Sequence, residues 1–156
     1  MVFKIEQKLD QLGVVLGEPP KPLASYVGFV EHENTLFISG QLPLKKGVLV
    51  GKGLLGKDIS VEDAQIAARQ CAINILSQVK LACAGDWERI TNCIRLGGFV
   101  ASTPDFYDHP VVLNGASDFM GEVLGEKGIH VRAAVGVASL PLNACVEIEA
   151  VFGIKS

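Results

Sequence analysis

The stretch His130-Val-Arg-Ala-Ala-Val-Gly-Val-Ala138, then Ser139-Leu-Pro-Leu-Asn143, then Ala144-Cys-Val-Glu-Ile-Glu-Ala-Val-Phe152 decides the architecture. Both long halves alternate at a period of two, as strands do, and the Pro-containing piece between them reads as a turn. Taken as a hairpin, Val131, Ala133, Val135 and Val137 share one side with Val146, Ile148, Ala150 and Phe152, and that side is the expected core. The opposite side then carries Arg132, Ala134, Gly136 and Ala138 facing Cys145, Glu147, Glu149 and Val151. One guanidinium and two carboxylates would stand over a floor of small residues.

Upstream, residues 90–102 form a strand with apolar residues on both sides, Ile94, Leu96 and Val100 against Cys93, Phe99 and Ala101, and Gly97-Gly98 suggests a bulge. Between that strand and the final pair, Pro110 opens a helix that continues through Phe119, Met120, Val123 and Leu124 and stops at Gly125 or Gly128. Before it, Ser60 is an N-cap, and Ala64, Ala68, Cys71, Ile75, Val79 and Ala82 recur at spacings of three and four, predicting the longest helix, ending near Gly85. Residues 25–31 and 35–42 are apolar, aromatic-rich runs around His32-Glu33-Asn34, a β-hairpin pattern. Residues 46–56 are a glycine-punctuated loop with one short strand at Val48-Leu49-Val50. A helix over residues 3–12, with Ile5, Leu9 and Leu12 on one face, is stopped by Gly13 and followed by the linker Glu18-Pro19-Pro20-Lys21-Pro22.

The order β-β-α-β-α-β-β predicts an α+β sandwich: a mixed sheet of five or six strands with two main helices on one face and a short N-terminal helix. The other face, partly apolar, needs a cover, and a closed ring of identical subunits supplies one. We expect one domain over residues 1–156, with 1–23 as helix and linker and 24–153 as the core.

The chain has 49% hydrophobic and 20% charged residues, the latter below the roughly 25% of an ordinary soluble domain. A net charge of −3 has the wrong sign for neutralising phosphates and argues against nucleic acid as a partner. Neither an apolar run of signal-peptide length nor a membrane span is visible, so the expected compartment is the cytoplasm. Cys71, Cys83, Cys93 and Cys145 lie in apolar runs without a C-x-x-C pair, which suggests buried thiols rather than a zinc site or disulfides. His32, His109 and His130 are isolated and read as solvated; Lys45, Lys46, Lys52 and Lys57 read as a basic rim. No metal site is expected.

Arg132 suits a bidentate grip on a carboxylate, and a partly desolvated glutamate beside it suits proton exchange with water. The same pattern fits a plain cross-strand ion pair between Arg132 and Glu149, worth about 0.2–1 kcal/mol when exposed, with Glu147 solvated.

Arg132-Ala-Ala-Val-Gly-Val-Ala-Ser-Leu-Pro141 followed by Val146-Glu147-Ile148-Glu149-Ala150 resembles the C-terminal signature of the Rid (YjgF) family, R-x-x-V-x-V-x-x-L-P and then V/I-E-I/V-E-A. Tyr26-Val27, Phe37-Ile38-Ser39-Gly40-Gln41-Leu42-Pro43 and Leu113-Asn114-Gly115-Ala116 extend the likeness over about residues 24–153, in what looks like a longer-chain branch. The resemblance implies a chorismate-mutase-like homotrimer with three sites at the subunit clefts. It implies hydrolysis of 2-imino or enamine acids to 2-keto acids and ammonia, without a cofactor. In that scheme Arg132 binds the substrate carboxylate and Glu147 positions the attacking water, while Tyr26, Ser39, Gly40, Asn114 and Ala134 line the pocket. Many deaminase members have Ser-Cys after the arginine where this chain has Ala133-Ala134, so a thiol donor to the water is missing. Glu149, on the same expected face, competes with Glu147 for the base. Two other functions stay open: a non-catalytic sensor or carrier of carboxylate metabolites, which Ala134 favours, and the endoribonuclease or translation-inhibitor activity under which relatives are often labelled.

Overall fold

A computed structural model describes residues 2–22 and 24–156. Met1 and Leu23, the two ends of the expected N-terminal segment, lie outside the described residues. Helix α1 (Val2–Gln11) buries Ile5 and Leu9 against the body. The buried Trp87 indole N–H donates to the Glu6 carboxylate at 2.7 Å, fastening α1 further. Strands β1 (Phe29–His32) and β2 (Thr35–Gln41) form the expected hairpin, although β1 begins four residues later than the apolar run suggested. Strands β3 (Leu44–Lys45) and β4 (Val48–Leu49) make a separate small ribbon where one short strand was expected.

Helix α2 (Val61–Ala82) starts at Ser60, whose Oγ accepts from the Asp63 N–H at 3.1 Å. Strand β5 (Ile90–Ala101), helix α3 (His109–Leu124), strand β6 (Val131–Val137) and strand β7 (Val146–Ile154) complete the chain. No helix among the described residues is long and apolar enough to cross a membrane.

The main sheet has the order β1-β2-β7-β5-β6; β5 and β6 are parallel, and the other described ladders are antiparallel. This corrects the hairpin expected from the last two strands. Parallel neighbours need a crossover of a dozen or more residues, and α3 supplies it between β5 and β6. The chain then passes over β5 and inserts β7 between β5 and β2. Central placement suits β7, because Val146, Ile148, Ala150 and Phe152 are all buried beneath the helices. A fully buried side chain of that size contributes about 1.5–3 kcal/mol for Val, Ile or Phe.

On the edge strand β6 the expected faces are exchanged. Val131, Ala133 and Val135 are exposed, while Arg132, Ala134 and Gly136 point toward α3. The reason is space. A Cβ on Gly136 would run into His109 and Ser102, and one on Gly98 of the neighbouring strand would run into Leu113, so the helix seats only on small residues. Gly98 therefore marks close helix packing, Gly97 makes room for Arg95 and Glu149 on the other face, and neither is a bulge, since they keep register with Ile148 and Glu149. The irregularities of β5 lie earlier, at Ile90/Asn92 and Cys93/Arg95, and they set Cys93 on the core side with Leu96 and Val100 while Ile94 turns outward.

Helices α2 and α3 cover one face of the sheet, and their apolar stripes close the core around Ile75, Leu76, Phe119 and Met120. The opposite face carries exposed Val30, Phe37, Ile94, Val131 and Val135. All four cysteines are buried and, among the described residues, unpaired; burial pushes the Cys145 thiol up to about 11.

The two helices meet closely at Gly115, where a Cβ would collide with the backbone carbonyl of Gln65. Backbone cannot give way as a side-chain tip can. Gly115→Ala is expected to destabilise the fold by about 2 kcal/mol, read as a lower midpoint in urea with an unchanged slope.

Candidate functional site

Two clusters carry the residues singled out in the sequence, and they sit on different sides of the sheet. The first surrounds Glu147. Between Ile38 and Gln41 the register of β2 on β7 shifts, so Ser39 and Gly40 bulge out of the ladder. The bulge is held from outside the sheet: Ser39 Oγ donates to the Val27 carbonyl at 2.6 Å, and the Ser39 N–H donates to the Gly28 carbonyl at 2.9 Å. Gln41, buried, donates through Nε2 to the Ser39 carbonyl at 2.9 Å.

This distortion opens a cavity of about 310 Å³ at the end of the sheet, with Tyr26, Ser39, Gly40 and Glu147 among its walls. Gly40 lies directly under Glu147, and a Cβ there would occupy the position of the carboxylate Oε1. Only glycine leaves the carboxylate in place. Burial, and secondarily the charge of Glu149, pushes the Glu147 carboxyl above the usual carboxylate range. Glu149 lies two residues farther along the same face and pairs with Arg95 at 3.9 Å. The ion pair foreseen between Glu149 and Arg132 is replaced by this one.

Pro20, Lys21 and Pro22 form another wall of the cavity, together with Pro141. The proline-rich linker, read from the sequence as a mere spacer, thus lines the pocket. Its one available signal was stiffness, since consecutive prolines hold an extended path. A second, wider groove of about 750 Å³ shares Pro20, Lys21 and Leu44 with the cavity and runs along α2, with Lys45, Lys46 and Arg69 on its walls.

The second cluster surrounds Arg132. Its guanidinium lies against α3, with Nη1 donating to Ser117 Oγ at 3.0 Å and Nη2 to the Pro110 carbonyl at 3.2 Å. Asn114 falls on the same helical stripe, four residues after Pro110 and three before Ser117. Ala134 follows Arg132 on the same face of β6 and packs partly against the core. His130 is not simply solvated, because Nδ1 is 2.6 Å from the Gly128 carbonyl and Nε2 is 2.9 Å from Ser117 Oγ. His109 also has partners, Ser102 Oγ at 3.0 Å and the edge of Phe106. His130 precedes β6 by one residue and lies two before Arg132, the spacing that puts both side chains on one surface of an extended chain.

Tyr26, Ser39, Gly40 and Glu147 therefore come together, as do Asn114, Arg132 and Ala134, but the two groups do not meet within one chain. Glu147 is level with Phe99 on β5 and Val135 on β6. Arg132 lies two strands away, about 10 Å, and three residues back along the strand, another 10 Å or so. It also projects from the opposite face. The shared floor expected for the arginine and the glutamates is absent from the single chain, because β5 separates β6 from β7 and side-chain parity does the rest.

The family model described as "YjgF/chorismate mutase-like, putative endoribonuclease" matches residues 6–152. Protein TCP17 of Trypanosoma cruzi is 40% identical over 154 residues, 98% of this chain and 96% of that one. The solved structure of protein Atu1372 from Agrobacterium tumefaciens, described as having unknown function, is 49% identical, with a TM-score of 0.93 over 99% of this chain and 94% of that one. A 2-iminobutanoate/2-iminopropanoate deaminase of Dermatophagoides farinae is 26% identical over 136 residues, 87% of this chain and 91% of its own. Since the match spans nearly all of the chain and the strand order and helix placement are those of an α+β sandwich, the protein belongs to the YjgF/Rid family and has its chorismate-mutase-like fold.

Proposed function

We propose that this protein hydrolyses 2-imino acids, or their enamine tautomers, to 2-keto acids and ammonia, at sites that Arg132 of one copy and Glu147 of the next complete together. The observation that carries this proposal is the separation of the two half-sites. Each half is chemically prepared and neither suffices alone. Arg132 spends two of its five N–H bonds on α3; the other three remain for a substrate carboxylate. Glu147 is a half-buried carboxylate with a raised proton affinity in a cavity of small-molecule size. A neighbouring copy that covered the exposed Val30, Phe37, Val131 and Val135 would also bury the apolar face that the helices leave open.

In this scheme the substrate carboxylate docks on Arg132 and its C=N carbon reaches into the cavity of the neighbour. Glu147 takes a proton from water as the oxygen bonds to that carbon, and the nitrogen is protonated in turn. Collapse of the carbinolamine expels ammonia and leaves the keto group. Water and imine supply every atom, so the step as written needs no cofactor. Tyr26, Ser39 and Gly40 shape the water side, Asn114 flanks the carboxylate side, and Ala134 supplies no thiol. The named activity of the Dermatophagoides relative supports this class of reaction. We take the chain as a single Rid-like unit that works as a homotrimer in the cytoplasm.

With 2-iminopropanoate generated from alanine by an amino-acid oxidase, ammonia release is expected to exceed the spontaneous rate, and Arg132→Ala or Glu147→Gln to abolish the excess. Co-expressing the two inactive variants in equal amounts should restore about a quarter of wild-type turnover, because three-quarters of random three-membered rings are mixed and each holds one intact site of three. No recovery in the mixture would rule out shared sites. Bound pyruvate without acceleration would replace catalysis with metabolite sensing.

The pH dependence follows from Glu147. A base whose proton affinity is raised loses activity on acidification sooner than an ordinary glutamate would. Glu149→Gln removes the smaller cause of the shift, so the acid limb of kcat against pH should move to lower pH. It should stay above the usual carboxylate range, because burial persists.

A further inference from the structure

We propose that Ser117 and His130 are positioning residues that hold the Arg132 guanidinium in one orientation for bidentate capture of the substrate carboxylate; this rests on the assignment of Arg132 as the carboxylate grip. Arginine is a long side chain with many rotamers, and on an edge strand little else restrains it. Here the restraint is a directed chain of hydrogen bonds. The Gly128 carbonyl only accepts, so the contact at 2.6 Å places a proton on His130 Nδ1. In the neutral ring Nε2 is then a lone pair, and it accepts from the Ser117 hydroxyl at 2.9 Å. With its hydrogen committed to the imidazole, Ser117 Oγ presents lone pairs to Arg132 Nη1 at 3.0 Å.

Without His130 the serine has an alternative. A hydroxyl inside a helix commonly turns back to the carbonyl four residues earlier, which here is that of Leu113. The imidazole competes for that hydrogen and keeps the hydroxyl aimed at the guanidinium. The anchor is firm, since Gly128 is buried at the end of the turn that follows α3. The Pro110 carbonyl takes a hydrogen from Nη2 at 3.2 Å, so both terminal nitrogens are tied to one helix and the guanidinium plane is set. A bidentate contact depends on that plane.

The test uses the full-length protein with 2-iminopropanoate as substrate and pyruvate as a binding probe. Ser117→Ala and His130→Ala are each expected to raise KM and the pyruvate Kd about tenfold, with kcat changed less than about twofold. The double variant should be no worse than the weaker-binding single one, because both break the same chain. Ser117→Thr, which keeps the hydroxyl, should restore most of the affinity. Thermal midpoints of all variants accompany the kinetics. If Ser117→Ala and His130→Ala bind pyruvate like the wild type while Arg132→Ala does not, the positioning role is wrong and the carboxylate grip stands. If Arg132→Ala also binds normally, both fall. Losses that add in the double variant, or that track the thermal midpoint and are not rescued by threonine, would mark the pair as structural and overturn the proposal.

Discussion

Strand β7 is hydrogen-bonded on both sides, to β2 along one edge and to β5 along the other, and its alternate residues Val146, Ile148, Ala150 and Phe152 are sealed beneath α2 and α3. Every other placement follows from that ladder. Burying one parity of β7 forces Glu147 and Glu149 onto the opposite face, and the parallel pairing of β6 with β5 forces Arg132 onto the helical face. A slip of one residue would invert all of these assignments, and the buried aromatic and branched side chains forbid it.

The chemistry inherits this geometry. Glu147 is raised in proton affinity because a backbone bulge and a glycine let it lie low in a cavity rather than stand in water. Arg132 is restrained because its strand passes close to α3, whose Pro110 and Ser117 offer the guanidinium oxygens. The proposed shared site is one in which a second copy would bring these two separated groups together. The exposed apolar face of the sheet points in the same direction.

The N-terminal segment has a part in this that its composition did not advertise. Helix α1 is fastened through Ile5 and Leu9 and through the Trp87 indole, whose hydrogen bond holds the Glu6 carboxyl below the usual range. The proline-rich linker that follows the fixed helix lines the Glu147 cavity through Pro20, Lys21 and Pro22, and thereby becomes one wall of that cavity.

The local pattern of the sequence was enough for the main helices and sheet strands, for the capped start of α2 at Ser60, for the proline start of α3 and for the family, because capping, helical periodicity and short motifs are written in neighbouring residues. Through the motifs it resembles it also named Tyr26, Ser39 and Gly40, which gather around Glu147, but not Ser117 or the Pro110 carbonyl that hold Arg132, nor the prolines beside Glu147. It could not say which strand lies beside which: alternation at a period of two is the same for a hairpin and for strands separated by another, so β6 and β7 looked like partners. Nor could it tell an inward valine from an outward one on β6, where helix packing selected Ala134 and Gly136 for the inner face by size. Strand order, side-chain parity and the hydrogen bonds from His130 to Arg132 are properties of the packed chain, since they depend on contacts between segments that the sequence holds far apart or lists without direction.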